Sequence, residues 1–189
     1  KITAAKLRNS LITFFGIDRL NQKFLNFAIS HFCFVVAINI HAVFINILLL
    51  KHRMTQPPIY YNMINFLCSG IGMLLGGMII KHVYLKYVTF LGIGCHLAAY
   101  LIFLICMENI SSFVIPIALL IGFGGGFFWY TYLNAISLIP DDTRDISISF
   151  IGVFASIIAL IVPAIAGAVI DAFSGYTGYN IMFGCAFVV

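Results

Sequence analysis

The sequence contains very little formal charge. Of its 189 residues, 8% are Asp, Glu, Lys or Arg and 62% are hydrophobic, whereas soluble globular domains carry about 25% charged residues. The mean hydropathy of +1.10 agrees with this shortage. Too few charged side chains are available to cover a water-exposed surface. The composition therefore excludes an ordinary soluble domain and indicates an integral membrane protein whose main partner is the lipid bilayer.

Carboxylates are missing from every long apolar segment. The six Asp and Glu residues lie before, between or at the ends of these segments. Intramembrane hydrolysis needs paired carboxylates, or a nucleophile with a base, at membrane depth, and Ser69 has no convincing histidine partner. We therefore expect no enzyme, no catalytic residue and no cofactor. Asp142 or Asp145 is instead expected to cap the fifth helix.

Paired cysteines are lacking as well. The five cysteines occur singly, without a CxxC pair or a histidine at metal-ligand spacing, so we expect packing residues and no metal site. They are Cys33, Cys68, Cys95, Cys106 and Cys185. No nucleic-acid motif is present either, and the net charge of +4 is concentrated where anionic lipid headgroups are the natural partner.

Long uninterrupted apolar runs are what the sequence does contain. A helix needs about 20 residues to cross a bilayer, and continuous rather than alternating runs favour helices over barrel strands. We predict an all-α, polytopic transmembrane bundle over residues 24–189, with five complete spans and a truncated sixth. The predicted spans are 24–50, 59–80, 88–107, 113–137, 146–170 and 180–189. Because the last run stops at Val189 and the chain begins with Lys, we expect a piece of a longer protein.

Basic residues indicate the orientation. Residues 1–23 form a basic, amphipathic leader of the kind that lies at a membrane interface. Eight of the ten Lys and Arg residues lie in this leader or in connections on the same side, which predicts a cytoplasmic amino terminus. The short connections favour a bacterial plasma membrane.

Polar side chains inside the spans are costly in lipid and usually face the bundle interior or an aqueous path. Two spans carry clusters of them: Asn39, His41 and Asn46 in the first, and Trp129, Tyr130 and Asn134 in the fourth. One interpretation is interhelical hydrogen bonding with an interfacial aromatic belt. The other is that these residues line a path for a solute.

Small residues recur at helix-contact spacing and predict close helix packing. They are Gly72 and Gly76 in the second span, Gly122 and Gly126 in the fourth, and Ala155, Ala159, Pro163 and Gly167 in the fifth.

The order of these features resembles the major facilitator superfamily of secondary transporters. The resemblance rests on the basic leader, the segment Phe44-Ile45-Asn46-Ile47-Leu48, the Gly-rich second and fourth spans, the basic loop Lys81-His82-Val83-Tyr84-Leu85-Lys86 and the Pro-x-x-x-Gly fifth span. It covers essentially the whole chain and matches one six-helix half of a twelve-helix transporter, most simply the amino-terminal half.

The motifs also depart from the family pattern. In the loop after the second helix, Gly77 and Lys86 fit, but Lys81 stands where the family has Asp and Tyr84 where it has a second Gly. In the fifth helix, Pro163 and Gly167 remain from the Gly-Pro-x-x-Gly-Gly segment of drug/proton antiporters. We expect structural or gating roles for five of these residues: Gly77, Lys81, Lys86, Pro163 and Gly167.

The resemblance implies alternating access, in which two six-helix halves rock about a midplane site lined by their first and fourth helices. The six polar residues above become the candidate substrate cavity. Aromatic rings with amides suit a neutral or cationic organic solute, which makes a drug or metabolite exporter one expectation. A coupling proton could use His41, since histidine is the side chain whose ordinary pKa lies nearest neutral pH, or an acid in a second half, and facilitated diffusion is equally open.

The alternative is a non-enzymatic multi-span subunit, assembly factor or channel component. Its helices would only pack against an oligomer partner. The presence or absence of a second set of six spans would distinguish the two hypotheses.

Overall fold

The computed structural model describes residues 22–51, 58–137, 139, 141–173 and 175–188, and helices account for nearly all of them. Six α-helices follow one another: α1 Gln22–Lys51, α2 Pro58–Ile79, α3 Leu85–Cys106, α4 Ile110–Ser137, α5 Asp141–Ala172 and α6 Thr177–Val188. A single 3₁₀ turn, Met107–Asn109, joins α3 to α4. Of the predicted leader, residues 1–21 lie outside the described residues.

Five of these helices, α1 to α5, are long and apolar enough to cross a membrane. This confirms the predicted all-α class and the five membrane-length segments. One boundary prediction was wrong: α5 begins at Asp141, so Asp142 and Asp145 belong to its first turns and do not occupy the N-cap position. Acidic residues are favourable there because the amino-terminal end of a helix carries a partial positive charge.

The packing of the helices has an internal regularity. The closely packed pairs include α2 with α4, α3 with α4, α1 with α5, α1 with α6 and α3 with α6. Exchanging α1 with α4, α2 with α5 and α3 with α6 converts the first pair into the third and the second into the fourth, and leaves the last unchanged. The pairs that join the first three helices to the last three are therefore matched, whereas among the described residues α5 also packs against α6 and α2 makes no comparable contact with α3.

Glycines allow α2 and α4 to approach closely. A β-carbon at Gly122 would lie 2.6 Å from the backbone oxygen of Asn65, and one at Gly72 would lie 2.8 Å from that of Phe123. Gly126 is equally close to the backbone of α2. The glycines of the second and fourth spans thus pack as predicted, with backbone against backbone.

The main apolar core lies where α1, α3, α4 and α6 meet. Its fully buried members include Leu48, Phe103, Ile117 and Phe183, and the rings of Phe103 and Phe183 stack with centroids 4.4 Å apart. In contrast, α5 is the most exposed of the five long helices. The core therefore fixes α4 at the centre and leaves the outer side of α5 uncovered by described residues.

Charged groups lie at the helix ends. Arg144 forms an ion pair with Asp141 at 2.6 Å and donates a hydrogen bond to the Ile139 carbonyl at 2.9 Å. This joins the start of α5 to the α4–α5 connection. At the start of α3, the ammonium group of Lys86 lies 5.1 Å from the ring centre of Tyr87.

Candidate functional site

A cavity of about 260 Å³ lies between α1, α2, α3 and α4. Apolar residues form much of its wall, but six polar side chains from three helices reach it. These are His41 of α1, Tyr61, Asn62, Asn65 and Ser69 of α2, and His96 of α3. Trp129 and Gly125 of α4 complete the wall. This is the best candidate for a solute site in the described part of the protein, because polar groups converge there inside an otherwise apolar bundle.

A buried polar contact in the cavity joins α1 to α2. The hydroxyl group of Tyr61 is hydrogen-bonded to Nε2 of His41, and both side chains are 3% exposed. Nearby, the amide nitrogen of Asn62 donates to the Oδ1 atom of Asn46 at 3.4 Å. These two contacts connect helices that otherwise touch little.

The contribution of α2 was missed by sequence reasoning. Tyr61, Asn62, Asn65 and Ser69 are spaced by one, three and four residues, and this spacing places them on one side of a helix. The signal was therefore present in the sequence. The prediction named residues of the first and fourth spans instead, because the family resemblance places the solute site between those two helices.

His96 forms the boundary between two cavities. It is 4% exposed, and its Nδ1 atom donates to the Gly92 carbonyl at 3.0 Å, one turn earlier in α3. On its other side lies a larger, mostly apolar cavity of about 350 Å³ whose wall includes Phe34, Tyr100 and Phe128. His96 lines both spaces.

Glycine at position 124 makes room for this histidine. A β-carbon there would lie 2.6 Å from Cε1 of His96, closer still to Nδ1, and 2.8 Å from the backbone oxygen of Gly92. At Gly125, the next residue along α4, a β-carbon would meet only the Ser69 hydroxyl at 3.9 Å. The location of His96 thus depends on one specific glycine of the run.

Of the six predicted cavity residues, His41 and Trp129 line the cavity, and Asn46 reaches its edge through Asn62. The amides of Asn39 and Asn134 instead donate to carbonyls of their own helices, at 2.8 and 3.0 Å. The ring of Tyr130 packs against Gly76 and Gly77 between α2 and α4. The structure therefore brings part of the predicted set together and gives the rest local packing roles.

The predicted gating residues lie apart from the cavity. Gly77 contacts the ring of Tyr130, and Lys81 and Lys86 are exposed in and after the connection between α2 and α3. Pro163 and Gly167 are half-buried within α5, which continues through the proline. The structural or gating roles of these residues remain predictions.

A third buried histidine, His31, lies in an aromatic cluster near the start of α1. Its ring stacks on those of Tyr132 and Phe128, with centroids 4.6 and 5.6 Å apart. It does not line the polar cavity.

The chemistry available in the cavity is hydrogen bonding without formal charge. Its lining contains no Asp, Glu, Lys or Arg, and no group of three potential metal ligands occurs among the described residues. Moving an ion out of water costs several kcal/mol, whereas one cation–π contact returns only about 0.5–2 kcal/mol. The wall holds no counter-charge for an ion, so it favours an uncharged occupant.

Fold and site together define an all-helical protein with five helices long and apolar enough to cross a membrane, and a small cavity between four of them that several polar side chains reach. No family model matches the chain, and no solved structure matches it. "Uncharacterized protein YqgE" of Bacillus subtilis (strain 168) is 29% identical over 124 residues, which are 65% of this chain and 29% of that protein. "Uncharacterized protein in sodM 3'region" of Geobacillus stearothermophilus is 23% identical over 170 residues, which are 89% of this chain and 79% of that protein.

The matched region thus spans less than a third of the first relative's length. Neither relative's name states an activity. The function is therefore argued from the site and the fold.

Proposed function

We propose that the protein is a secondary membrane transporter that moves a small organic solute by alternating access, and that this bundle is one six-helix half of it. The observation that carries the proposal is the cavity between α1, α2, α3 and α4, where six polar side chains meet inside an otherwise apolar bundle. Polar side chains inside membrane helices are costly and usually mark a solute or ion path. We place the bundle in a bacterial plasma membrane with its amino terminus in the cytoplasm.

The helix packing supports this function. Many secondary transporters are built from structural repeats, and in the major facilitator superfamily each six-helix half contains two three-helix repeats. The matched contacts that join the first three helices to the last three agree with that plan. Such repeats place the solute between helices of both repeats, and α1 and α4 both reach the cavity here.

The length of one relative supports it further. Because 124 matched residues make up 29% of YqgE, that protein is more than twice as long as this 189-residue chain. It therefore has room for a second bundle of similar size. Both relatives come from bacteria, which agrees with the proposed membrane.

A second candidate is a self-contained membrane subunit that does not transport. The relative from Geobacillus stearothermophilus favours it, since 170 matched residues already make up 79% of that protein. A protein of that size would hold a single bundle. A subunit with a single bundle would act as a dimer or as part of a larger complex.

The test is solute flux through the full-length protein reconstituted in liposomes. Uptake of radiolabelled uracil, glucose, tetraphenylphosphonium and benzoate is measured with wild type, with His41→Phe and with His82→Phe as the matched control. His41 lines the cavity, whereas His82 is exposed in the α2–α3 connection. Transport predicts saturable uptake of at least one solute that His41→Phe lowers and His82→Phe does not. Uptake equal to that of empty liposomes for every solute would favour the subunit.

A further inference from the structure

Two buried imidazoles in the polar cavity each have one nitrogen without a partner. Nδ1 of His41 and Nε2 of His96 are covered from solvent and make no hydrogen bond within the described part of the chain. Both rings line the same cavity. Buried polar atoms are nearly always satisfied in folded proteins, so two exceptions on one wall need an explanation.

In each ring, the hydrogen bond made by one nitrogen determines whether the unpaired nitrogen is a donor or an acceptor. In His96, Nδ1 faces the Gly92 carbonyl, which can only accept, so Nδ1 carries the proton and Nε2 of the neutral ring is an acceptor. In His41, Nε2 faces the hydroxyl of Tyr61. A phenol is a stronger hydrogen-bond donor than a neutral imidazole, so Tyr61 donates and His41 keeps its proton on Nδ1. The two rings on the cavity wall therefore hold one unpaired donor and one unpaired acceptor.

Size and charge narrow the class of occupant. The cavity of about 260 Å³ is smaller than the pockets of roughly 300–1,000 Å³ that hold drug-sized ligands. Its wall carries no formal charge, so an ionic solute would lose its water without gaining a counter-charge. The amides of Asn62 and Asn65 can instead donate and accept further hydrogen bonds.

We propose that this cavity binds an uncharged, metabolite-sized solute that presents both a hydrogen-bond acceptor and a donor, as nucleobases, amides and sugars do. The acceptor of the solute pairs with Nδ1–H of His41, and its donor pairs with Nε2 of His96. This rests on the proposed function, since it names the substrate class of the same site. This substrate class differs from that of exporters of lipophilic cations.

Equilibrium binding to the purified full-length protein in lipid nanodiscs tests the proposal. The probes are uracil and glucose as uncharged solutes, the small cation tetramethylammonium and the anion benzoate. The variants are His96→Phe, which removes the acceptor, and His96→Gln, whose amide oxygen restores one. His82→Phe is the control, because the same change is made at an exposed histidine.

The expected result is that uracil or glucose binds more tightly than either ion. His96→Phe should weaken that binding at least about tenfold, as loss of a buried hydrogen bond predicts, and His96→Gln should recover part of it. Tighter binding of an ion, absence of uracil and glucose binding at millimolar concentration, or unchanged binding by a well-folded His96→Phe protein would each overturn the proposal.

The same materials separate this inference from the proposed function. Specific binding of an uncharged probe without flux in liposomes supports the inference and removes the transporter. Flux of tetraphenylphosphonium without binding of an uncharged probe supports the transporter and removes the inference.

Discussion

His96 occupies the space that a side chain at Gly124 would fill: a β-carbon at Gly124 would lie 2.6 Å from Cε1 of the imidazole. The histidine separates a polar cavity from an apolar one. The absence of a side chain at Gly124 of α4 thus leaves the space that His96 of α3 occupies.

The first prediction concerns this contact. Gly124→Ala should lower the free energy of unfolding by about 1–3 kcal/mol, the usual cost of overpacking a tight contact, because the backbone of Gly92 also lies within 2.8 Å of the new carbon. Gly125→Ala is the matched control, since only the Ser69 hydroxyl at 3.9 Å is near. Thermal unfolding of both variants in detergent measures the difference. Equal melting temperatures would show that α3 and α4 do not pack as described.

The hydrogen bond between Tyr61 and His41 leads to the second prediction. Tyr61→Phe leaves both imidazole nitrogens of His41 without a described partner, so it should cost about 1–3 kcal/mol, the penalty of an unsatisfied buried polar group. Tyr60→Phe makes the same change one residue earlier, where the side chain is 52% exposed. It should have little effect. The comparison is a pair of thermal melts, and a larger loss in Tyr60→Phe would contradict the assignment.

The third prediction tests the glycine contacts of α2 and α4. Gly122→Ala should destabilise the bundle because its new carbon would lie 2.6 Å from both the Asn65 backbone oxygen and the β-carbon of Cys68. Gly70→Ala, on the open side of α2, meets nothing within 4 Å and should be tolerated. Yield of monodisperse protein on size exclusion, measured against temperature, reports both effects. Loss of yield in Gly70→Ala alone would indicate that a partner covers that side.

Orientation gives the fourth prediction. Lys81 is exposed between α2 and α3, and Asn109 is exposed between α3 and α4, so the two positions should lie on opposite sides of the membrane. In a background without cysteines, Asn109→Cys should react with an impermeant maleimide in intact cells. Lys81→Cys should react only after permeabilisation. Labelling of both from the same side would refute a crossing by α3.

The sequence was sufficient to predict the all-helical class and the five membrane-length helices because hydropathy in a bilayer is a strong constraint: backbone groups in lipid must pair within each helix. Five helices appear close to the predicted ranges. The site was less predictable. The sequence could not distinguish residues that line the cavity, such as His41 and Trp129, from residues that pack locally, such as Asn39 and Asn134. A carbonyl of the same helix satisfies an amide as well as a solute does.

Two further site features depend on tertiary structure. His96 is a lone histidine in the sequence, and its role appears only when α4 packs beside it through Gly124. The polar side of α2 was present as a spacing pattern, but its partner His41 lies 20 residues away in the chain. Spacing within one helix predicts a face, and only packing shows what that face meets.

The last prediction reverses the charge preference of the cavity. Asn65 lines it without formal charge in its surroundings, so Asn65→Asp places a carboxylate of nearly the same shape on the wall. A buried carboxylate attracts a cation far more strongly than an aromatic ring does, and we expect at least about tenfold tighter binding of the small cation tetramethylammonium, equivalent to roughly 1.4 kcal/mol. Binding of uracil should weaken, because the amide donor is lost.

Asn134→Asp is the matched control, since that amide bonds a carbonyl of its own helix and does not line the cavity. The measurement is equilibrium binding to the full-length protein at neutral pH. If both variants bind the cation equally, the added charge acts through the general field of the protein, and the cavity is not the binding site. If only Asn65→Asp gains the cation, the position of Asn65 in the wall of the solute site is established independently of any natural substrate.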